Sequence, residues 1–449
     1  MCDQRRGKRF DKSMNKMILL RLFLVVVVFG MIFAGTVSAG EVQKNEGWDA
    51  HESHTRMHFK DNEMEFSLAL ILGATMNSGC EIGEAFFTAG RITEGDAVSW
   101  QKEWIEMAKR VEARGDRSLA RGHNVSAQGQ YMRASYYYRA ALISMLPTDR
   151  HFKETALKSR SLLKKAGQLL DPPLEYFEIL FEKSVLPGYF RRAYGDSRKH
   201  KTLIMIGGGE TFAEDLVFYI ARQAYERGYN FLTVDLPGQG LLPLEGKFFR
   251  ADVEVPMKAV VDYALTRTEV NPNRLSMFGI SGGGGFVPRS AQFDNRIKAI
   301  VMNSAVVDAH TLFASMPVAT MTEDKTKQWS SFKTNTIRVI AWRWGVAMDN
   351  IPGLVDANSG FDFDPARIKC PALSLVGEGE YADVNIQAQQ KIFLDGVPHD
   401  KKALVVTPAN EGASNHCLTE NRSVMSQTVF DFLDEALENK LIKVHKKAN

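Results

Sequence analysis

Residues 275–283 read Leu275-Ser276-Met277-Phe278-Gly279-Ile280-Ser281-Gly282-Gly283, and the rest of the chain is best read outward from them. Leu275 to Phe278 make a short strand, and the small residues from Gly282 onward can start a helix. Between them lies the only G-x-S-x-G match in the chain. A strand that turns sharply into a helix at a serine holds that hydroxyl out at the end of a sheet. Small residues on either side permit the strained turn and the close approach of neighbouring backbone.

On both sides of this stretch, strands and helices alternate. Thr202–Ile206 is an apolar strand followed by Gly207-Gly208-Gly209 and an amphipathic helix, Phe212 to Arg227. Phe231–Val234, Arg274–Gly279, Ala299–Met302, Leu373–Val376 and Ala403–Val406 are further strands. Such alternation makes a mostly parallel sheet covered on both faces. Earlier, Tyr176–Phe181 and Gly188–Phe190 are expected as strands around a Pro187-Gly188 turn. Residues 40–170 read as a helical N-terminal domain, with apolar residues at helical spacing over Glu65–Leu72, Ala97–Ala113, Ala127–Ser144 and Arg150–Leu170. Residues 171–449 form the second domain. Within it, residues 309–366 hold more helix than one crossover needs and are expected to cap the carboxyl ends of the strands.

A serine is a weak nucleophile until a base takes its proton. His416 follows the last strand and precedes the final helix, where such a base belongs; His399 precedes that strand. The acid that orients the histidine should follow the penultimate strand. Gly377-Glu378-Gly379-Glu380-Tyr381-Ala382-Asp383 offers three carboxylates. Glu380 sits at the usual offset, Asp383 is the alternative, and Glu378 comes after it. The oxyanion of acyl transfer needs two backbone N–H donors. Gly282 would supply one, and the turn containing Gly208 and Gly209 the other. That turn fits neither dinucleotide spacing nor a P-loop. The order Ser281, Glu380, His416 is that of the α/β-hydrolase fold, which is the fold expected here.

Four segments carry a family likeness: Gly207-Gly208-Gly209-Glu210-Thr211-Phe212, Asp235-Leu236-Pro237-Gly238-Gln239-Gly240, Gly279–Gly283, and Glu411 through Cys417. Together they resemble the α/β-hydrolase group of 2,6-dihydroxypseudooxynicotine hydrolases and of fungal enzymes that shorten polyketide pigment precursors. Gly79–Phe87 and Tyr131–Arg139 are similar to the N-terminal domain of that group. The resemblance implies a helical domain roofing the site, and hydrolysis of an ester or of a C–C bond next to a ketone in a small organic substrate. The chain departs from the group in carrying glutamate at position 380 and an apparent export signal. Peptidase and thioesterase chemistry use the same triad, so the fold alone does not separate them. A non-catalytic binding protein would be expected to lose a triad member, and none is lost. Tyr137, on the Tyr136–Tyr138 run, and Trp344, with Trp329 and Trp342, are candidates to line the pocket; the same spacing also fits plain core.

Basic residues followed by an apolar run, Leu22 to Gly35, and then Thr36-Val37-Ser38-Ala39-Gly40 read as a signal peptide over residues 1–39. The alternative is an uncleaved N-terminal anchor, the one case in which a membrane would be a partner. A net charge of +3, with much of the basic excess at the two ends, suggests no nucleic-acid partner. After cleavage Cys80, Cys370 and Cys417 remain, with no C-x-x-C spacing, so zinc is not expected. No cofactor is implied, and a homo-oligomer is allowed.

Overall fold

A computed structural model of the chain describes residues 50–51 and 55–438. The expected export signal lies outside the described residues. Among the described residues no helix is long and apolar enough to cross a membrane.

Among the described residues five α-helices come first: α1 (Asn62–Gly73), α2 (Ile82–Ala89), α3 (Ala97–Ala120), α4 (Asn124–Ala141) and α5 (Phe152–Gln168). Short acidic side chains start two of them. Asp61 accepts the Met64 N–H, and Asp96 accepts those of Val98 and Ser99, satisfying amides that have no partner inside the helix. Trp100, Trp104, Met107 and Val111 recur at helical spacing on α3 and are buried. Tyr131 of α4 packs so closely on Gly115 that a β-carbon there would lie 2.7 Å from its ring. Both helices therefore bury one face against each other.

The strands are β1 (Leu174–Phe181), β2 (Ser184–Arg191), β3 (His200–Ile206), β4 (Asn230–Val234), β5 (Val270–Ile280), β6 (Ala299–Asn303), β7 (Ala372–Gly377) and β8 (Lys402–Thr407). They form one sheet in the order β1-β2-β4-β3-β5-β6-β7-β8. β1–β2 and β2–β4 pair antiparallel, and every later pair is parallel. This is the α/β-hydrolase fold. The crossover helices include α6 (Ala213–Glu226), α7 (Glu254–Thr266) and α8 (Gly283–Phe293). The chain winds outward from β3 to β4 and returns to β5 on the other side of β3. Such a reversal opens a crevice at the carboxyl ends of the two strands.

The hairpin differs from expectation. The turn falls at Glu182-Lys183, with Glu182 at a φ of 53°, and Pro187-Gly188 lies inside β2. Pro187 lacks an N–H but its carbonyl still accepts the Asp235 N–H at 2.8 Å. Gly188 admits the Thr233 carbonyl, which would meet a β-carbon at 2.3 Å. A proline–glycine pair that marks turns elsewhere serves close strand packing here.

Between β6 and β7 run α9 (Ala309–Ser315), α10 (Glu323–Thr326), α11 (Ser331–Arg343) and α12 (Gly353–Ala357). They share a small core of their own around Val318, Met321, Ala341, Trp344, Ile351 and Leu354. This insertion touches the N-terminal helices. Phe332 packs on Trp100 at 4.7 Å between ring centroids, and Asn335 donates to the Ser144 carbonyl at 3.1 Å. After β7 come α13 (Glu378–Tyr381) and α14 (Val384–Gly396), and α15 (Arg422–Leu437) closes the described chain.

Candidate active site

Ser281 sits between β5 and α8 at a φ of 54°, in the left-handed region that a serine rarely enters. Its N–H donates to the Asn303 carbonyl at 2.9 Å, which ties the turn to β6. The motif glycines answer to packing. A β-carbon on Gly279 would lie 2.0 Å from the Gly283 carbonyl oxygen, and one on Gly283 would lie 2.6 Å from that of Ile206. No larger residue fits either place without moving the turn.

Because β3 pairs with β5, the turn after β3 lies against the turn after β5. A β-carbon on Gly208 would come within 2.4 Å of Ser281 Cβ and 2.6 Å of the Gly282 nitrogen. Several groups pin this loop. The Gly208 N–H donates to Thr211 Oγ1 at 2.9 Å. Gln239 Nε2 donates to the carbonyls of Gly207 and Gly208 at 2.8 and 3.2 Å. Arg139, reaching from α4, donates to the Glu210 carbonyl and to Asp215, each at 2.9 Å. The Gly208 amide is thus engaged within the turn. Trp344 covers it: a β-carbon on Gly209 would lie 2.9 Å from the indole ring. That ring packs on Phe249 with centroids 4.1 Å apart.

At the far side of the sheet the loop after β8 folds back over the end of β7. Gly379 N–H donates to Ser414 Oγ at 2.9 Å, and Thr407 Oγ1 donates to the Ala413 carbonyl at 2.6 Å. Glu420 accepts the N–H groups of Ser414 and Asn415, and the Tyr219 hydroxyl donates to the Cys417 carbonyl at 2.5 Å. So held, His416 places Nδ1 3.1 Å from Glu380 Oε2, with both side chains buried. Ser304 Oγ donates to the other carboxylate oxygen, Oε1, at 2.8 Å. Burial alone presses the His416 pKa down, but the neighbouring Cys417 and Glu380 more than offset it and raise it well above its ordinary value.

The other acids are engaged elsewhere. Asp383 caps α14, accepting from Asn385 and Ile386, and Glu378 accepts the Ala409 N–H at 2.7 Å. His399 lies before β8, with Nδ1 accepting the Lys401 N–H at 3.0 Å. Tyr137 is fully buried among the N-terminal helices. Its hydroxyl accepts from Glu81 N–H at 2.9 Å and donates to Glu84 at 2.8 Å, and its ring packs on Trp104. The structure thus brings Trp344 to the glycine turn and leaves Tyr137 in helical core. Arg139, Gln239, Ser304, Tyr219 and Glu420 support the site and were not singled out from sequence. For Gln239 a signal existed: it sits in the Asp235–Gly240 motif, after the strand next to β3.

A family model described as esterase FrsA-like matches residues 94–325, about half of the chain. The chain belongs to the FrsA-like esterase family. The match runs from α3 through Ser281 into the insertion, and stops short of Glu380 and His416. This FrsA-like chain is accordingly an esterase-like hydrolase of the α/β class. It is 32% identical over 264 residues to a 20-hydroxy-prefusarin hydrolase of Gibberella moniliformis, 56% of this chain and 62% of that one. It is 27% identical over 415 residues to the α/β hydrolase pydG of an Acremonium species, 84% and 97% of the two chains. The crystal structure of 2,6-dihydroxy-pseudo-oxynicotine hydrolase superposes with a TM-score of 0.66 at 21% identity, covering 82% of this chain and 97% of that one. At that identity the likeness speaks for the fold.

Proposed function

We propose that this FrsA-like chain cleaves an ester, or a C–C bond next to a ketone, in a small organic substrate, with Ser281 as nucleophile, His416 as general base and Glu380 as the acid. The observation that carries the reading is the buried His416–Glu380 pair at 3.1 Å, taken together with a serine held at positive φ after β5. With Nδ1 facing Glu380, the opposite ring nitrogen, Nε2, takes the serine proton. Ser281 Oγ attacks the acyl carbon, and the N–H groups of Gly282 and Gly209 receive the oxyanion. The imidazolium then protonates the leaving group, and water releases the acyl group by the same steps in reverse order of partners. The names of the relatives above support the small-molecule substrate class. Incubation with a fluorophosphonate, followed by peptide mass analysis, tests the reading: modification at Ser281 supports it, and modification elsewhere or none sinks it.

In this reading the insertion sets selectivity through Trp344. Trp344→Ala is expected to shift the kcat/KM ratio between bulky and short p-nitrophenyl esters by about tenfold, in favour of the bulky ones, because a large ring leaves the wall of the pocket. An unaltered ratio across the ester panel would make Trp344 ordinary core. We further propose that the protein is exported and cut after Ala39. The mature protein recovered from its host should then begin at Gly40, read by N-terminal sequencing; a retained apolar segment would mean an anchor.

A further inference from the structure

Arg343 is the last residue of α11, in the insertion, and it is 1% exposed. Among the described residues it forms no ion pair. Its Nη1 donates to the carbonyls of Gly238 and Gly240, at 3.0 and 3.4 Å, and its Nε is buried without a partner. Burial, and then the neighbouring Arg139, press its pKa down to about 10, while Asp235 acts the other way. A buried cation held by carbonyls alone is costly to the fold, so what it grips matters. Those carbonyls belong to the loop after β4. Gly238 has a φ of 92° and lies so near Phe249 that a β-carbon there would come within 2.3 Å of the ring. The same loop braces the glycine turn. Gln239 reaches the carbonyls of Gly207 and Gly208, and the Gly240 N–H donates to the Thr211 carbonyl at 3.1 Å. A second route runs through Phe212, the residue that starts α6. The guanidiniums of Arg343 and Arg139 both lie over its ring, 4.9 and 4.6 Å from the centroid. One arginine comes from the insertion and the other from the N-terminal helices, and both hold the residue at the end of the turn.

We infer that Arg343 is a positioning residue for the reaction at Ser281: through the Gly238 and Gly240 carbonyls and the Phe212 ring it ties the insertion to the glycine turn and keeps Gly208 and Gly209 in register with the serine. The inference rests on Ser281 being the nucleophile. Register matters here, since Gly208 approaches so closely that a β-carbon on it would stand 2.4 Å from Ser281 Cβ. A displacement of about 1 Å among groups that meet a transition state can cost about a hundredfold in rate. Arginine suits the task, because its planar group offers several N–H donors at the edge while its face stacks on an aromatic ring. Trp344, the next residue, covers Gly209, so two neighbouring side chains of the insertion bear on one turn.

Titration of the whole protein with a fluorophosphonate counts reactive serines, so kcat on p-nitrophenyl butanoate can be expressed per labelled Ser281. Arg343→Met, similar in length but without charge or donor, is expected to lower kcat per labelled serine by about tenfold to a hundredfold, with KM within about threefold of wild type. Arg343→Lys keeps the charge and a donor for the Gly238 carbonyl, and its kcat per labelled serine should fall by only about threefold. A merely structural role would lower Tm and the labelled fraction and leave kcat per labelled serine alone. That result, a rise in KM at unchanged kcat, or equal losses in the Met and Lys variants would each overturn the inference. If Arg343→Met does not fold, Phe212→Leu repeats the measurement by removing the ring under the guanidinium. A fall of about threefold or more is then expected, and an unchanged kcat per labelled serine overturns the inference. If the fluorophosphonate fails to mark Ser281 in the wild-type protein, the nucleophile assignment fails and this inference with it, an outcome distinct from a labelled serine whose turnover ignores Arg343.

Discussion

Ser281→Ala is expected to lower kcat by about 10⁴ to 10⁶ on any ester the wild-type protein cleaves, and to abolish fluorophosphonate labelling. The fold should be kept. Alanine is no more strained than serine at a φ of 54°, and the backbone bond from residue 281 to the Asn303 carbonyl survives the change. Circular dichroism and Tm close to wild type, together with lost turnover, would separate chemistry from unfolding. Substantial residual turnover in a clean preparation would move the nucleophile elsewhere.

Glu380→Gln should lower kcat by about 10² or more, because glutamine keeps the shape and loses the charge facing Nδ1. It should also move the pH profile, and the sign follows from the histidine. The base must be neutral, so kcat/KM rises as pH climbs through the His416 pKa. In the wild-type protein that pKa is raised well above 6.5, with Cys417 and Glu380 outweighing burial. Removing the Glu380 charge leaves burial less opposed, so the acid limb shifts to lower pH while the plateau falls. A pH–rate series from 5 to 9 on about half-unit steps reads both effects. Asp383→Asn should leave both stability and activity close to wild type, because asparagine caps α14 about as well as aspartate. If Asp383→Asn were the variant that lost turnover, Glu380 would not be the acid.

Much of the fold was legible because its signals are local. Apolar strands at Thr202–Ile206, Phe231–Val234 and Ala299–Met302 lie within β3, β4 and β6. Their alternation with helices forces a parallel sheet, since each crossover must cover a face. The hairpin turn was misplaced for the same local reason. Pro187-Gly188 carries a turn signature, while Glu182-Lys183 carries none, and only the approach of β4 explains why the signature sits mid-strand.

Residue type, spacing and chain order by themselves determined the serine at a tight strand–helix turn, the late histidine and the order serine, acid, histidine of the candidate residues. They could not choose among Glu378, Glu380 and Asp383, which crowd one short loop. That choice depends on where the loop after β8 crosses β7, set by Ser414 and Glu420 within that loop and by Tyr219 from α6. Tyr137 and Trp344 looked alike as aromatics on helices. Packing sent one hydroxyl to Glu81 and Glu84 and laid the other ring over Gly209. Nearest neighbours along the chain decide helices, strands and sharp turns, whereas burial and partnership are decided by contacts that only the assembled sheet creates.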